Sequence, residues 1–141
     1  MRTAITDKFF VASQIFSTDL EDLASEGFTT IINNRPDDEE LGQPTANAMA
    51  ADAEAFGFTY THLPVRGSNI SEELVRAFQQ ALNRSVGPVL AHCRSGTRSL
   101  TLWTIGEVLD GHLRTEDVIS FGAERGFDLS GASNWLRTRE E

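Results

Sequence analysis

The hydrophobic pattern of the chain alternates between short apolar segments and longer segments with helical periodicity. Apolar, β-branched or aromatic residues predict four strands, at residues 9–12, 28–32, 58–65 and 89–91. Capping residues followed by helix formers predict helices that begin near Thr18, Thr45, Ser71, Thr115 and Ser130, and apolar residues at helical spacing predict another helix over residues 102–109. Such alternation is typical of a central, mostly parallel sheet with helices on both faces, so the predicted fold class is α/β.

Polar loops follow three of the predicted strands, at residues 33–40, 66–70 and 92–98. Because ligands of parallel sheets bind beyond the carboxyl ends of the strands, these loops predict the position of a site. We expect residues 1–141 to form a single domain, since either half alone would bury only a marginal core.

The composition of the chain limits the kinds of molecule that it is expected to bind. The 21 acidic residues outnumber the 12 basic ones and give a formal net charge of −9, which repels polyanions. Neither nucleic acid nor an anionic membrane is therefore expected as a partner, and the polar N-terminal segment predicts a cytoplasmic protein. One cysteine and three scattered histidines do not form a zinc motif, so neither a metal nor a cofactor is predicted.

The single cysteine, Cys93, is followed by Arg-Ser-Gly-Thr-Arg between a predicted buried strand and a predicted helix. Backbone N–H groups in such a loop, together with the helix N-terminus, favour an anion. We therefore predict that Cys93 is a catalytic thiolate and that Arg98 stabilises anionic charge with its planar guanidinium. The residues between them are predicted to bind the anion: Arg94, Ser95, Gly96 and Thr97. The two hydroxyls are expected to donate hydrogen bonds to the thiolate, and the glycine to permit a tight bend.

The roles of two further side chains are less fully determined by the sequence pattern. Arg35 is predicted to bind substrate in the pocket or else to pair with one of the acidic residues Asp37, Asp38 and Glu39. That acidic cluster itself is expected to be a solvated loop. His92 precedes the cysteine, so its ring is expected to face away from the thiol and to make structural hydrogen bonds.

Residues 93–98 resemble the active-site loop of rhodanese-type sulfurtransferases, and they also resemble the phosphate loop of protein-tyrosine and dual-specificity phosphatases. Those phosphatases place five residues between Cys and Arg, whereas Cys93 and Arg98 have four between them, the typical rhodanese spacing. Over roughly residues 8–110, the chain resembles a bacterial family, the phosphatase-like domain of β-lactamase-hydrolase-like proteins. The matching segments are Asn34-Arg35-Pro36-Asp37 with Glu39-Glu40, His62-Leu63-Pro64-Val65, Gly87-Pro88-Val89-Leu90 and Leu102-Trp103. The resemblance implies a protein-tyrosine or dual-specificity-phosphatase-like fold.

The short loop favours a sulfurtransferase, which would carry sulfane sulfur as a Cys93 persulfide from a small anionic donor to a thiol acceptor. The resemblance also implies a persulfide-oxidising enzyme as a partner. Two alternatives stay open: a phosphatase that hydrolyses phosphate esters through a phosphocysteine, and a non-catalytic anion or persulfide sensor. The segment 66–71, where dual-specificity phosphatases carry an acidic aspartate, has no carboxylate, which disfavours the phosphatase unless Asp37 or Asp38 replaces that acid.

Overall fold

A five-stranded sheet forms the centre of the computed structural model, which describes residues 2–140. The strands are β1 (Arg2–Ala4), β2 (Phe9–Ala12), β3 (Thr30–Asn33), β4 (Thr59–His62) and β5 (Val89–His92). Their order in the sheet is β1-β2-β5-β3-β4; β1 pairs antiparallel with β2, and the other pairs are parallel. Ala12 of β2 and Asn33 of β3 both lie opposite His92 of β5. Because these three strands end at the same level, the loops that follow them emerge side by side.

Helices cover both faces of the sheet, as predicted. They are α1 (Leu20–Ser25), α2 (Ala46–Ala55), α3 (Glu72–Arg84), α4 (Thr97–Leu109), α5 (Val118–Glu124) and α6 (Ser130–Glu140). Short 3₁₀ turns at Ser17–Asp19 and Thr115–Asp117 precede α1 and α5. Side chains alternate across the sheet: Ile32 joins the core under α3 to α6, whereas its neighbour Ile31 joins the core under α1 and α2. The predicted α/β class with a mostly parallel sheet is confirmed.

Strand β1 was not predicted, because its sequence Arg-Thr-Ala has no apolar alternation. It is an edge strand with largely exposed side chains, held by backbone pairing to β2 in the register Thr3 opposite Val11. Its pairing partner therefore determines its structure, and local sequence does not.

The strand predicted at residues 58–65 is shorter than expected, since β4 ends at His62. The next residues still bond to the loop after β3: Leu63 donates its N–H to the Asn33 carbonyl at 2.9 Å, and Val65 donates to the Asn34 carbonyl at 2.9 Å. These bonds fix the Val65 backbone beside the carboxyl ends of β3 and β5. None of the helices within residues 2–140 has both the length and the apolar character needed to cross a bilayer.

Candidate active site

Cys93 lies in the turn between β5 and α4, at the carboxyl edge of the sheet. It is 1% exposed, and its Sγ accepts a hydrogen bond of 3.0 Å from the backbone N–H of Gly96. Gly96 has a φ of +97°, which glycine adopts without strain, and a Cβ at this position would lie 3.2 Å from Cε1 of Phe127. The bend that directs an N–H group at the sulfur therefore depends on glycine.

The hydroxyl groups of the loop have a different arrangement from the one predicted. Ser95 Oγ donates to Thr97 Oγ1 at 3.1 Å, so the two hydroxyls bond to each other and not to the sulfur of Cys93. The expected hydroxyl donation to the thiolate is thus wrong. The backbone amide of Gly96 donates to Sγ instead.

Arg98, in the first turn of α4, points back to the loops that follow β3 and β4. Its Nη1 and Nη2 groups donate to the two carboxylate oxygens of Glu39, each at 2.8 Å, and Nη1 also donates to the Val65 carbonyl at 2.8 Å. A guanidinium has five N–H groups, and these contacts use three of them. The remaining two, on Nε and Nη2, form one edge of the guanidinium, and an interaction between Arg98 and Cys93 contributes to the raised pKa of Arg98. That edge can bind an oxyanion in a bidentate manner.

Glu39 joins Arg98 to Arg35. Arg35 is completely buried; its Nε donates to Glu39 at 2.9 Å, and its Nη1 donates to Gln14 Oε1 at 3.0 Å. Its Nη2 lies 3.3 Å from Glu40, outside hydrogen-bond geometry. Of the two predicted positions for Arg35, the structure shows the ion pair. Residues 37–40 are exposed, as expected for a solvated loop, and within that loop the Glu39 carboxylate contacts both arginines.

The two arginines determine the ionisation of Glu39. Hydrogen bonds from Arg98 and, less strongly, from Arg35 lower the pKa of Glu39 to about 2, although partial burial opposes this shift. In return, the bond to Glu39 is the main cause that raises the pKa of Arg98, and the charge of the nearby Cys93 thiolate adds to it. At neutral pH, Glu39 is therefore a carboxylate that orients Arg98.

The other charged residues of these loops lie further from the sulfur. Asp37 accepts a hydrogen bond of 2.8 Å from the N–H of Ala46 and thereby caps α2, while Asp38 is exposed with a φ of +65°. The Arg94 side chain is 65% exposed and lies 3.5 Å from Glu40. The predicted anion contact of Arg94 therefore requires a substrate that extends over the loop surface.

Two buried polar side chains next to the loop have no partner of good hydrogen-bond geometry within the described residues. Neither ring nitrogen of His92 has a partner of good hydrogen-bond geometry, and of the expected structural hydrogen bonds a weak one with the Cys93 backbone is present. Burial lowers the pKa of His92 to about 4, and its imidazole is neutral at pH 7. The Ser99 hydroxyl is also buried and unpaired. The sequence analysis assigned no role to Ser99, although its position directly after Arg98 places it next to the cysteine loop.

Within residues 2–140, no group of three or more His, Cys, Asp or Glu side chains is arranged to hold a metal ion.

A cysteine loop between a parallel strand and a helix, with an arginine in the first helical turn, defines the class of phosphatase-like domains of the protein-tyrosine and dual-specificity type. The structural comparison agrees. The Neisseria meningitidis protein nma1982, described as a candidate phosphatase, matches with a TM-score of 0.83 and 31% identity over 96% of each chain. A cysteine-to-serine variant of Pseudomonas aeruginosa TpbA, in complex with phosphotyrosine, matches with a TM-score of 0.61 and 15% identity over 96% of this chain and 90% of that one. The second likeness concerns the fold alone.

The sequence comparison identifies the family. The family model described as "Beta-lactamase hydrolase-like protein, phosphatase-like domain" matches residues 1–110, and the chain belongs to this family. A β-lactamase hydrolase-like protein of Agrobacterium fabrum is 45% identical over 132 residues, which cover 94% of this chain and 31% of that protein. A relative from Xylella fastidiosa strain Temecula1 is 39% identical over 133 residues, with the same shares of coverage. The chain thus spans about a third of the length of these relatives, and the resemblance noted in the sequence is confirmed.

Proposed function

We propose that this chain is a cysteine-dependent sulfurtransferase in which Cys93 carries a sulfane sulfur atom as a persulfide. The substrates would be a small anionic sulfur donor and a thiol acceptor. The proposal gives each group at the site a role: the thiolate is the nucleophile, the Gly96 amide stabilises it, and Arg98 binds the anionic part of the donor.

The reaction consists of two displacements at sulfur. In the first, the Cys93 thiolate attacks the outer sulfur of a donor such as thiosulfate; a Cys–S bond forms, the donor S–S bond breaks, and its electron pair leaves with sulfite. In the second, an acceptor thiolate or cyanide attacks the outer sulfur of the persulfide, and the Cys93 thiolate is the leaving group. Neither step needs an external oxidant or reductant.

The observation that carries this proposal is that Glu39, the carboxylate bonded to Arg98, is ionised and cannot act as a general acid. With a pKa of about 2, Glu39 is ionised at neutral pH, and Asp37 caps α2. Asp128, which lines a cavity together with Arg98, has its pKa lowered by hydrogen bonds with Ser130. Hydrolysis of an alkyl phosphate needs an acid that protonates the leaving oxygen, whereas sulfite leaves as an anion. The site therefore favours a leaving group that needs no proton.

The limited space around the Cys93 thiol also favours sulfur transfer over phosphoryl transfer. Cys93 is 1% exposed, and Gly96 approaches its sulfur from within a loop of only four intervening residues. Transfer of a single sulfur atom requires less room at Sγ than transfer of a tetrahedral phosphoryl group. A persulfide would also receive the amide hydrogen bond that now reaches the thiol.

The second candidate is a phosphatase that acts through a phosphocysteine on Cys93. The family description and the solved neighbours favour it over sulfur transfer, and the phosphotyrosine complex of TpbA shows a phosphate ester in one of them. In this chain the missing acid would limit such activity to esters of acidic phenols, whose leaving groups need little protonation.

Parallel turnover assays separate these candidates. Formation of thiocyanate from thiosulfate and cyanide is measured beside phosphate release from an aryl phosphate and from an alkyl phosphate. We expect thiocyanate formation, and we expect Cys93→Ser to lower its rate by at least about a thousandfold because the nucleophile is lost. Ser120→Ala is the control, since its exposed hydroxyl bonds to the Asp117 carbonyl at the start of α5, outside the cysteine loop.

Phosphate release without thiocyanate formation would overturn the proposal in favour of the second candidate. Sulfur bound to Cys93 without turnover would instead indicate a sensor. Thiocyanate formation that survives Cys93→Ser would exclude the persulfide mechanism.

A further inference from the structure

A cavity of about 610 Å³ lies beside the cysteine loop, and the mechanism above does not use it. Its walls come from the segment after β4, the first turns of α4, Asp128 and one face of α6. The α6 residues at the wall follow helical spacing, so they lie on a single face of the helix: Gly131, Asn134, Trp135, Thr138 and Arg139. Thr97 and Arg98 of α4 belong to the opposite wall. The cavity therefore begins at the residue that would bind the anion.

Specific contacts keep this cavity open in the folded chain. Trp135 Nε1 donates to the Ile70 carbonyl at 3.0 Å, which fixes the indole ring against the segment after β4. Arg139 forms an ion pair with Glu72 at the start of α3 and lies over the Trp135 ring. Since the indole N–H is already bonded, Trp135 can offer a ligand only its apolar ring surface.

The size and the chemistry of the walls indicate an organic ligand. Small-molecule sites typically have volumes of about 300–1,000 Å³ and combine apolar surface with a few polar groups. Val65, Ile70 and Trp135 supply apolar surface here, and Arg98 supplies the positive charge at one end. An inorganic anion such as thiosulfate would occupy only the end at Arg98 and leave the rest of the cavity unused.

We propose that the cavity binds the organic part of the sulfur donor, so that the preferred substrate is an organic thiosulfonate or persulfide with an aromatic or aliphatic body. This inference rests on the proposed sulfur transfer at Cys93. The anionic sulfur group lies at Arg98 and the loop, and the body lies against Trp135 and Ile70. The Cys93 thiolate bonds to the outer sulfur, the donor bond to that sulfur breaks, and its electron pair leaves with the organic sulfinate or thiolate. Inorganic thiosulfate is then a poor substrate that reacts without using the cavity.

Gly131 offers a clean way to test this assignment. It lies in the first turn of α6 at the cavity wall, and no heavy atom lies within 4 Å of the position that a Cβ would take. Gly131→Leu therefore adds apolar volume at the wall from an open Cβ position, and replacing a helical glycine does not weaken the helix. Gly131→Ala is the matched control, because it changes the backbone preference but adds a single methyl group. Thermal unfolding of both variants confirms that they fold.

The test compares kcat/KM for benzenethiosulfonate with kcat/KM for thiosulfate. We expect the unmodified chain to prefer the aromatic donor by at least about tenfold, as a filled apolar pocket provides. Gly131→Leu should abolish most of this preference and leave kcat/KM for thiosulfate within about twofold, while Gly131→Ala should retain the preference. Equal losses for both donors in Gly131→Leu, or no loss for either, would overturn the assignment.

A binding measurement separates this inference from the proposed function. Calorimetric titration with benzenesulfonate, which carries no transferable sulfur, reports on the cavity without turnover. Binding that Gly131→Leu weakens, together with no sulfur transfer from either donor, would overturn the sulfurtransferase proposal and the donor class but retain an organic-anion site. Equal binding to both forms would overturn the cavity assignment whatever the turnover result.

Discussion

At the scale of single residues, some polar side chains of the site form hydrogen bonds and others are buried without good hydrogen-bond partners. Arg35 and Arg98 share one carboxylate, Glu39, and are held by it through charge-assisted hydrogen bonds. His92, one residue before the nucleophile, is equally buried but has no partner of good hydrogen-bond geometry among residues 2–140. The first arrangement orients a substrate-binding group, and the second makes the fold sensitive to acid.

The effect of His92 on stability follows from its lowered pKa. A histidine with a folded pKa of about 4 and an unfolded pKa of about 6.5 binds its proton more readily in the unfolded chain. The free energy of unfolding should therefore fall as pH decreases from about 6.5 to 4, by up to about 3 kcal/mol from this residue. Urea unfolding at several pH values measures this slope. His92→Phe should flatten it, and His112→Gln, at an exposed histidine, should leave it unchanged; an unaltered slope in His92→Phe would contradict the account.

Glu39 is predicted to act through Arg98 and not as an acid. Glu39→Gln removes the charged acceptor that holds two N–H groups of Arg98, so kcat/KM for the anionic donor should fall about tenfold. Because the pKa of Glu39 is about 2, its ionisation does not change above pH 4, and the pH profile of kcat should keep its shape in the variant. Glu40→Gln is the matched control, since Glu40 contacts Arg35 and Arg94 only at 3.3 and 3.5 Å. A lost acidic limb in the pH profile of Glu39→Gln would instead assign it proton transfer.

At the scale of secondary-structure elements, the sequence predicted those strands and helix starts that depend on the local residue types. The apolar strands β2, β3 and β5 and the Thr45 and Ser71 caps of α2 and α3 follow directly from residue type. The pattern did not predict β1, whose structure depends on its pairing with β2. It also missed the contact between Glu39 and Arg98, which are 59 residues apart, although it did place their loops at the same edge of the sheet. Contacts between side chains of different loops require the register of the sheet, and no local pattern encodes that register.

The packing of α5 against the segment before α6 gives a prediction at this scale. A Cβ on Gly122 would lie 2.6 Å from Leu129 Cγ and 2.9 Å from the Phe127 carbonyl oxygen, which is backbone and cannot move aside easily. Gly122→Ala should therefore lower the free energy of unfolding by about 2 kcal/mol. At Gly106 the close atoms belong to the side chain of Gln79, so Gly106→Ala should change the free energy of unfolding by less than about 1 kcal/mol. Equal effects in chemical denaturation would show that α5 adapts more freely than the packing indicates.

At the scale of the whole molecule, a basic site lies within an acidic chain. The formal net charge is −9, yet Arg35, Arg94 and Arg98 meet at the carboxyl edge of the sheet against Glu39 and Glu40. The fold brings these charges together, because β3 and β5 end at the same level and the loops that follow them lie side by side. Anion binding by this chain is accordingly a property of local geometry and not of its overall charge.

The direct test of the central claim is the mass of the Cys93 peptide after the protein reacts with excess thiosulfate and is separated from it. We predict the addition of one sulfur atom to that peptide, absent in Cys93→Ser, and its complete removal by cyanide with an equal amount of thiocyanate formed. An unmodified Cys93 in a protein that releases phosphate from an aryl phosphate would contradict the account.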